Sequence, residues 1–110
     1  MAKLERTLTG DFDDVLARLE GAVLNGSMSA SLEDTASFTM GTARVAVRMY
    51  ERYSAFGGNR VAMCITLAGE GNRLHLTAIT AGGSQAMFFK VNTWGEEAFL
   101  DTLASVVDRL

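Results

Sequence analysis

Proline is absent from this chain, and cysteine, histidine and tryptophan occur once each. Without proline there is no fixed backbone kink to mark a hinge, and with no internal repeat or low-complexity tract the sequence offers no linker. A lone cysteine, Cys64, cannot close an internal disulfide. Together with the single histidine, His75, it leaves no Cys/His set at metal-ligand spacing, so a structural zinc is excluded on ligand count and no metal or cofactor is expected. No apolar run approaches the roughly 20 residues that span a bilayer. The first residues, Met1 to Arg6, lack the apolar core and small-residue cleavage site of a secretory signal, which predicts a cytoplasmic protein with no membrane partner. A formal charge of −3 weighs against nucleic acid as a partner, since such binding relies on many cationic side chains.

What remains is enough for one domain over residues 1–110. Its composition, 48% hydrophobic and 21% charged, is that of an ordinary globular protein. A chain of this length buries about two-thirds of its unfolded surface and folds without staples. The stretch from Ala43 to Ser54 divides that domain into two faces. Val45, Val47 and Met49 alternate with Arg44, Arg48 and Arg52, the period of two that marks a half-buried strand. Burying unpaired charge is costly, so this pattern predicts that the valines and methionine meet the core. The arginines, spaced about 13 Å apart, then form a stripe on the open face.

The other elements follow by the same logic. Residues 2–9 read as a strand with Leu4 and Leu8 on one side. Asp11 reads as the N-cap of a helix, with Asp13 and Asp14 in its first turn and Phe12, Val15, Leu16, Leu19 and Val23 at helical spacing; Asn25-Gly26 closes it. From Ser27 the alternation returns, with Met28, Ala30 and Leu32 on one side, then a polar interval from Glu33 to Ser37, then Phe38 and Met40. Turns at Gly41-Thr42, Gly57-Gly58-Asn59 and Gly69 to Asn72 separate further strands. Val61, Met63, Ile65 and Leu67 point inward from one of these, and Leu74, Leu76 and Ala78 from the next. Gly82-Gly83-Ser84-Gln85 breaks the pattern before a last strand over 86–91. A final helix opens with the capping box Thr93/Glu96 and buries Phe99, Leu103, Val106 and Leu110, with Leu100 and Val107 widening the stripe. Met28, Met40, Met49, Met63 and Met87 are available to fill gaps in the core.

The predicted fold is therefore α+β, an antiparallel meander of five to six strands with two helices on one face, in the order β-α-β4/5-α. That layout resembles the TATA-binding-protein-like and helix-grip folds, a likeness that carries no function by itself.

Three uses of the open face present themselves. Arg44, Arg48 and Arg52, with Ser84 and Gln85 on the glycine turn, can bind a small anionic ligand, because guanidinium groups engage carboxylates and phosphates bidentately. The same arginines can instead lie solvated, paired with Glu33, Glu51 or Glu70. Or the face can close on a second copy, burying Ala62, Thr66, Thr77 and Ile79 in a homodimer. An enzyme is the competing class. Cys64 and His75 share this face by parity, and a thiolate beside an imidazole could act as a nucleophile if the strand register brings them together. Trp94 reads as a packing anchor. The reading adopted is a non-catalytic binding domain that self-associates through the open face.

The runs Val47-Arg48-Met49-Tyr50-Glu51-Arg52-Tyr53-Ser54, Gly57-Gly58-Asn59-Arg60-Val61, Ala78-Ile79-Thr80 and the long stretch from Gly82 to Leu100 resemble an uncharacterised family of short bacterial proteins, a domain of unknown function. The resemblance spans nearly the whole chain. It implies a free-standing single-domain cytoplasmic protein and brings no assigned activity, ligand or catalytic residue with it.

Overall fold

The computed structural model describes residues 2–26, 29–53, 60–82, 100–101 and 103–108. Five strands, β1 (Ala2–Thr9), β2 (Ser31–Met40), β3 (Ala43–Tyr53), β4 (Arg60–Glu70) and β5 (Arg73–Gly82), form one antiparallel sheet in the order β1-β5-β4-β3-β2. Helix α1 spans Phe12–Asn25, and residues 100–101 and 103–107 are helical and constitute α2. The fold is thus α+β, as the alternation predicts. The expected strand over 86–91, the turn at 57–59, the capping box at Thr93 and Trp94 lie outside the described residues.

Local chemistry accounts for each element. The Asp11 carboxylate accepts the Asp14 N–H at 2.9 Å, and Asp13 and Asp14 sit where the helix dipole favours negative charge. Phe12, Val15, Leu19 and Val23 form the buried stripe of α1. Gly26 ends the helix by donating its N–H to Ala22 O, in a right-handed conformation that needs no glycine. Gly41 and Gly71, by contrast, hold φ of 60° and 61° in two-residue hairpin turns, where a side chain would be strained. Among the described strands β1 lies at one end of the sheet and β2 at the other, so α1 is the crossover between them. It is therefore laid across one face of the sheet.

That face holds the core. Leu4, Val61, Met63, Ile65, Leu67, Leu74, Leu76 and Ala78 from β1, β4 and β5 are buried with the α1 stripe and with Leu100, Leu103 and Val107 of α2. Strands β4 and β5 obey the predicted parity. In α2 the buried line runs through Leu100, Leu103 and Val107, with Val106 half-buried; Phe99 and Leu110 lie outside the described residues. Of the methionines offered as gap fillers, Met63 is in the core and Met40 is 70% exposed.

Strand β3 reverses the expected parity. Ala46 and Tyr50 are buried at 1% and 0% exposure, paired in register with Leu67 and Met63 of β4. The even-numbered residues, Arg44, Arg48 and Arg52 among them, therefore face the helices, while Val45, Val47 and Met49 face the open side with Cys64, Thr66 and Ala68. The physical reason is the acidic flank of α1. Arginine stems lie along the margin of the core while the guanidinium heads reach helix carboxylates, so the charged face can be the covered one. Strand β2 departs from expectation as well. It is continuous through the polar interval, with a bulge between Leu32 and Asp34, and is exposed at all ten positions.

Candidate functional site

Each arginine on the helix side of β3 has a definite setting. Arg44 grips Asp13 with both guanidinium nitrogens at 2.9 and 3.1 Å and lies over the Phe12 ring, 4.3 Å from its centroid. Its proximity holds the Asp13 carboxyl below its ordinary value. Phe12 in turn rests on Gly69, where an added Cβ would stand 2.9 Å from the ring and 2.6 Å from Leu74. Arg48 is more enclosed. Its Nε donates to Glu20 at 3.2 Å, and its Nη1 donates to Val47 O, Ala36 O and Ser37 Oγ at 3.0 to 3.2 Å. One side chain thus ties α1, β2 and β3 together. Burial lowers the pKa of Arg52. The arginines do not form a solvent-facing stripe, and Ser84 and Gln85 lie outside the described residues.

Between Arg48 and Arg52, on the same face, Tyr50 is fully buried, and its hydroxyl has no hydrogen-bond partner among the described residues. Burial first, and the negative charge of Glu20 second, push its pKa up to about 12. Beside this cluster a cleft of about 350 Å³ opens between α1 and the β2–β3 hairpin, lined by Phe12, Leu16, Thr39, Arg44 and Arg48 among others.

The open face is arranged in cross-strand rows. One runs Glu5–Thr77–Thr66–Val47–Ala36, the next Lys3–Ile79–Cys64–Met49–Asp34, and a third Thr7–His75–Ala68–Val45–Phe38. Within these rows the carboxylates and the lysine stand only at the outer strands. Ala62, Thr66, Thr77 and Ile79, the residues proposed from sequence as an interface, all lie here, and β3 and β2 add Val45, Val47, Met49, Ala36 and Phe38. Ile79 and Phe38 are 41% and 48% exposed. Sequence reasoning missed the β3 and β2 contribution. The signal for it was present: Asp13 and Glu20 lie seven residues apart on a helix, about 10 Å, near the roughly 13 Å between Arg44 and Arg48 on a strand.

The register also separates Cys64 from His75. Cys64 pairs with Ile79, and His75 with Ala68, so the two are four positions apart along the ladder, roughly 13 Å. His75 instead meets Glu5 at 3.2 Å. The Glu5 carboxyl is held below its ordinary value, by Lys3 first and His75 second. A thiolate–imidazole pair is therefore not assembled. Among the described residues no group of three or more His, Cys, Asp or Glu is placed to hold a metal ion, and no helix is long and apolar enough to cross a membrane.

A sheet with helices on one side and an uncharged, partly apolar centre on the other defines an α+β protein whose most distinctive surface is that open face. The chain belongs to the family of unknown function DUF6054, whose family model matches residues 1–110. Comparison with curated proteins finds no match.

Proposed function

We propose that this protein is a non-catalytic binding module whose open sheet face closes on the same face of a second copy. The observation that supports this is the reversed parity of β3, which puts Val45, Val47 and Met49 beside Thr66, Thr77, Cys64 and Ile79, with Lys3, Glu5 and Asp34 on the outer strands and the Glu51–Arg60 pair and Glu70 and Arg73 at the two ends of the inner ones. An apolar centre inside a polar rim is the anatomy of an interface. Five strands about 4.8 Å apart and some eight residues long give a face on the order of 650 Å², near the roughly 800 Å² per partner of a standard interface. Charge complementarity favours a copy as the occupant. Turning a second molecule about an axis along β4, the central strand, sets Lys3 over Asp34 at both ends of their row and Thr66 over Thr66. The two sheets then pack nearly aligned, the ordinary geometry of a sandwich.

A cytoplasmic setting belongs to this reading, since a lone half-buried Cys64 suits a reducing compartment. An anionic ligand on the arginines has less to recommend it, because Arg44 and Arg48 direct their donors to Asp13, Glu20 and β2. Light scattering on the eluting protein tests the proposal. Thr66→Arg, which puts charge at the centre of the face, is expected to reduce the mass of the assembly while leaving the far-ultraviolet circular dichroism unchanged. An unaltered mass refutes the face as the contact.

A further inference from the structure

Strand β2 presents a second, different surface, its outer edge. It ends the sheet, and among the described residues no strand lies beyond it. All ten of its residues are exposed, and the lysines and prolines that commonly guard an open edge are absent. The direction of its backbone groups follows from the hairpin. A two-residue turn at Gly41-Thr42 makes Met40 and Ala43 a hydrogen-bonded pair, so Phe38, Ala36 and Asp34 also bond to β3 and their neighbours point outward. Two contacts agree with this alternation. Arg48 reaches the Ala36 carbonyl in the gap between β2 and β3, and the outward N–H of Thr35 is taken by the Asp34 carboxylate at 2.8 Å. Ser37 and Thr39 carry the remaining outward N–H and C=O groups, and no described residue takes their N–H.

The geometry points to antiparallel pairing of β2 with β2 of a second copy, about a two-fold axis at Ser37. That register sets Ser37 against Ser37 and Thr39 against Thr35, rows of hydroxyl side chains that pair favourably across strands. Asp34 falls opposite Met40 and Glu33 opposite Gly41, so the acidic end of one strand meets the neutral end of the other. Parallel pairing would instead stack the carboxylates. The bulge at Leu32/Asp34 ends the regular edge at Asp34, and because the Asp34 cap takes the Thr35 N–H, each Thr39–Thr35 pair keeps the one bond from Thr39 N–H to Thr35 O while the Ser37 pair makes both. This contact is independent of the open face, because its axis is perpendicular to the sheet. With both contacts made, the assembly is larger than a dimer.

Cysteine cross-linking in a Cys64→Ser background tests the edge contact. Opposed residues of a hydrogen-bonded pair have Cα atoms about 5.5 Å apart, within disulfide range. Thr35 is roughly 14 Å from its own copy in the same register. Ser37→Cys is therefore expected to cross-link under mild oxidation at least about tenfold faster than Thr35→Cys, an effective-concentration advantage of the paired site. Both positions are exposed, so neither variant disturbs the core. The preference is expected to survive addition of Thr66→Arg, which removes the face contact alone. Equal rates at the two positions, or no cross-linked chain at Ser37→Cys, overturns the proposal. Survival of the Ser37 cross-link where Thr66→Arg leaves the mass unaltered would refute the face and keep the edge.

Discussion

Arg48→Ala separates the two possible orientations of β3 by a stability measurement. On a solvent-facing strand surface the substitution would change stability by less than about 0.5 kcal/mol. In the observed structure the side chain is 14% exposed, beside a Glu20 that is 33% exposed. It makes hydrogen bonds to Glu20, Ala36 O, Ser37 Oγ and Val47 O. A hydrogen bond from a charged group contributes about 1.5 to 3 kcal/mol when it is buried. The contributions do not sum, because β2 is exposed and water replaces much of what is lost there. The Ala36 and Val47 carbonyls also keep their ladder partners. A loss of about 2 kcal/mol follows. The assay is urea unfolding at one fixed protein concentration, since association would shift the apparent value. A cycle with Glu20→Gln is expected to give a coupling of about 0.5 to 1 kcal/mol. A loss under about 0.5 kcal/mol with no coupling would refute the placement of Arg48 under α1.

Gly69→Ala is expected to cost about 1 to 3 kcal/mol, because the new methyl meets Leu74 and Phe12 at 2.6 and 2.9 Å. A thermal midpoint equal to that of the parent protein would contradict the close approach of α1 to β4. Tyr50→Phe is expected to leave stability at neutral pH unchanged or raise it by up to about 1 kcal/mol, since the hydroxyl removed is buried and unpartnered. The tyrosine also fixes a pH response. Its folded pKa is raised from 10.0 to about 12, so the folded protein holds a proton that the unfolded chain releases. The contribution is present below pH 10 and lost as pH rises towards 12. Unfolding free energies measured across that window should fall for the parent protein and flatten for Tyr50→Phe; parallel curves would show that Tyr50 is not the group responsible.

Element types were legible in the sequence because their signals are local. Asp11 as a cap, the α1 stripe through Val15, Leu19 and Val23, the turns at Gly41 and Gly71 and the inward lines of β4 and β5 all follow from spacing and backbone freedom. Which side of β3 meets the core does not. Alternation says that two faces differ, but the sign of the difference depends on what lies across the sheet. Here α1 brings carboxylates at Asp13 and Glu20 that accept arginines on the covered side. Ala46 is small and Tyr50 is amphipathic, so neither outweighed three arginines in a reading by hydropathy. The separation of Cys64 from His75 is likewise a matter of register, which sequence parity leaves open. The interface residues Ala62, Thr66, Thr77 and Ile79 were found because β4 and β5 are unambiguous strands with charge-free inner lines. Their apolar neighbours on β3 and β2 were missed for the reason just given.

The central claim is that Val45, Val47 and Met49, not the arginines, belong to the associating face, and sedimentation velocity of Thr66→Arg and Arg48→Ala run side by side tests it most directly. The account predicts that Thr66→Arg sediments as a smaller species with the parent's far-ultraviolet circular dichroism, whereas Arg48→Ala keeps the parent's assembly and loses stability. Loss of assembly in Arg48→Ala with Thr66→Arg unaffected would contradict it.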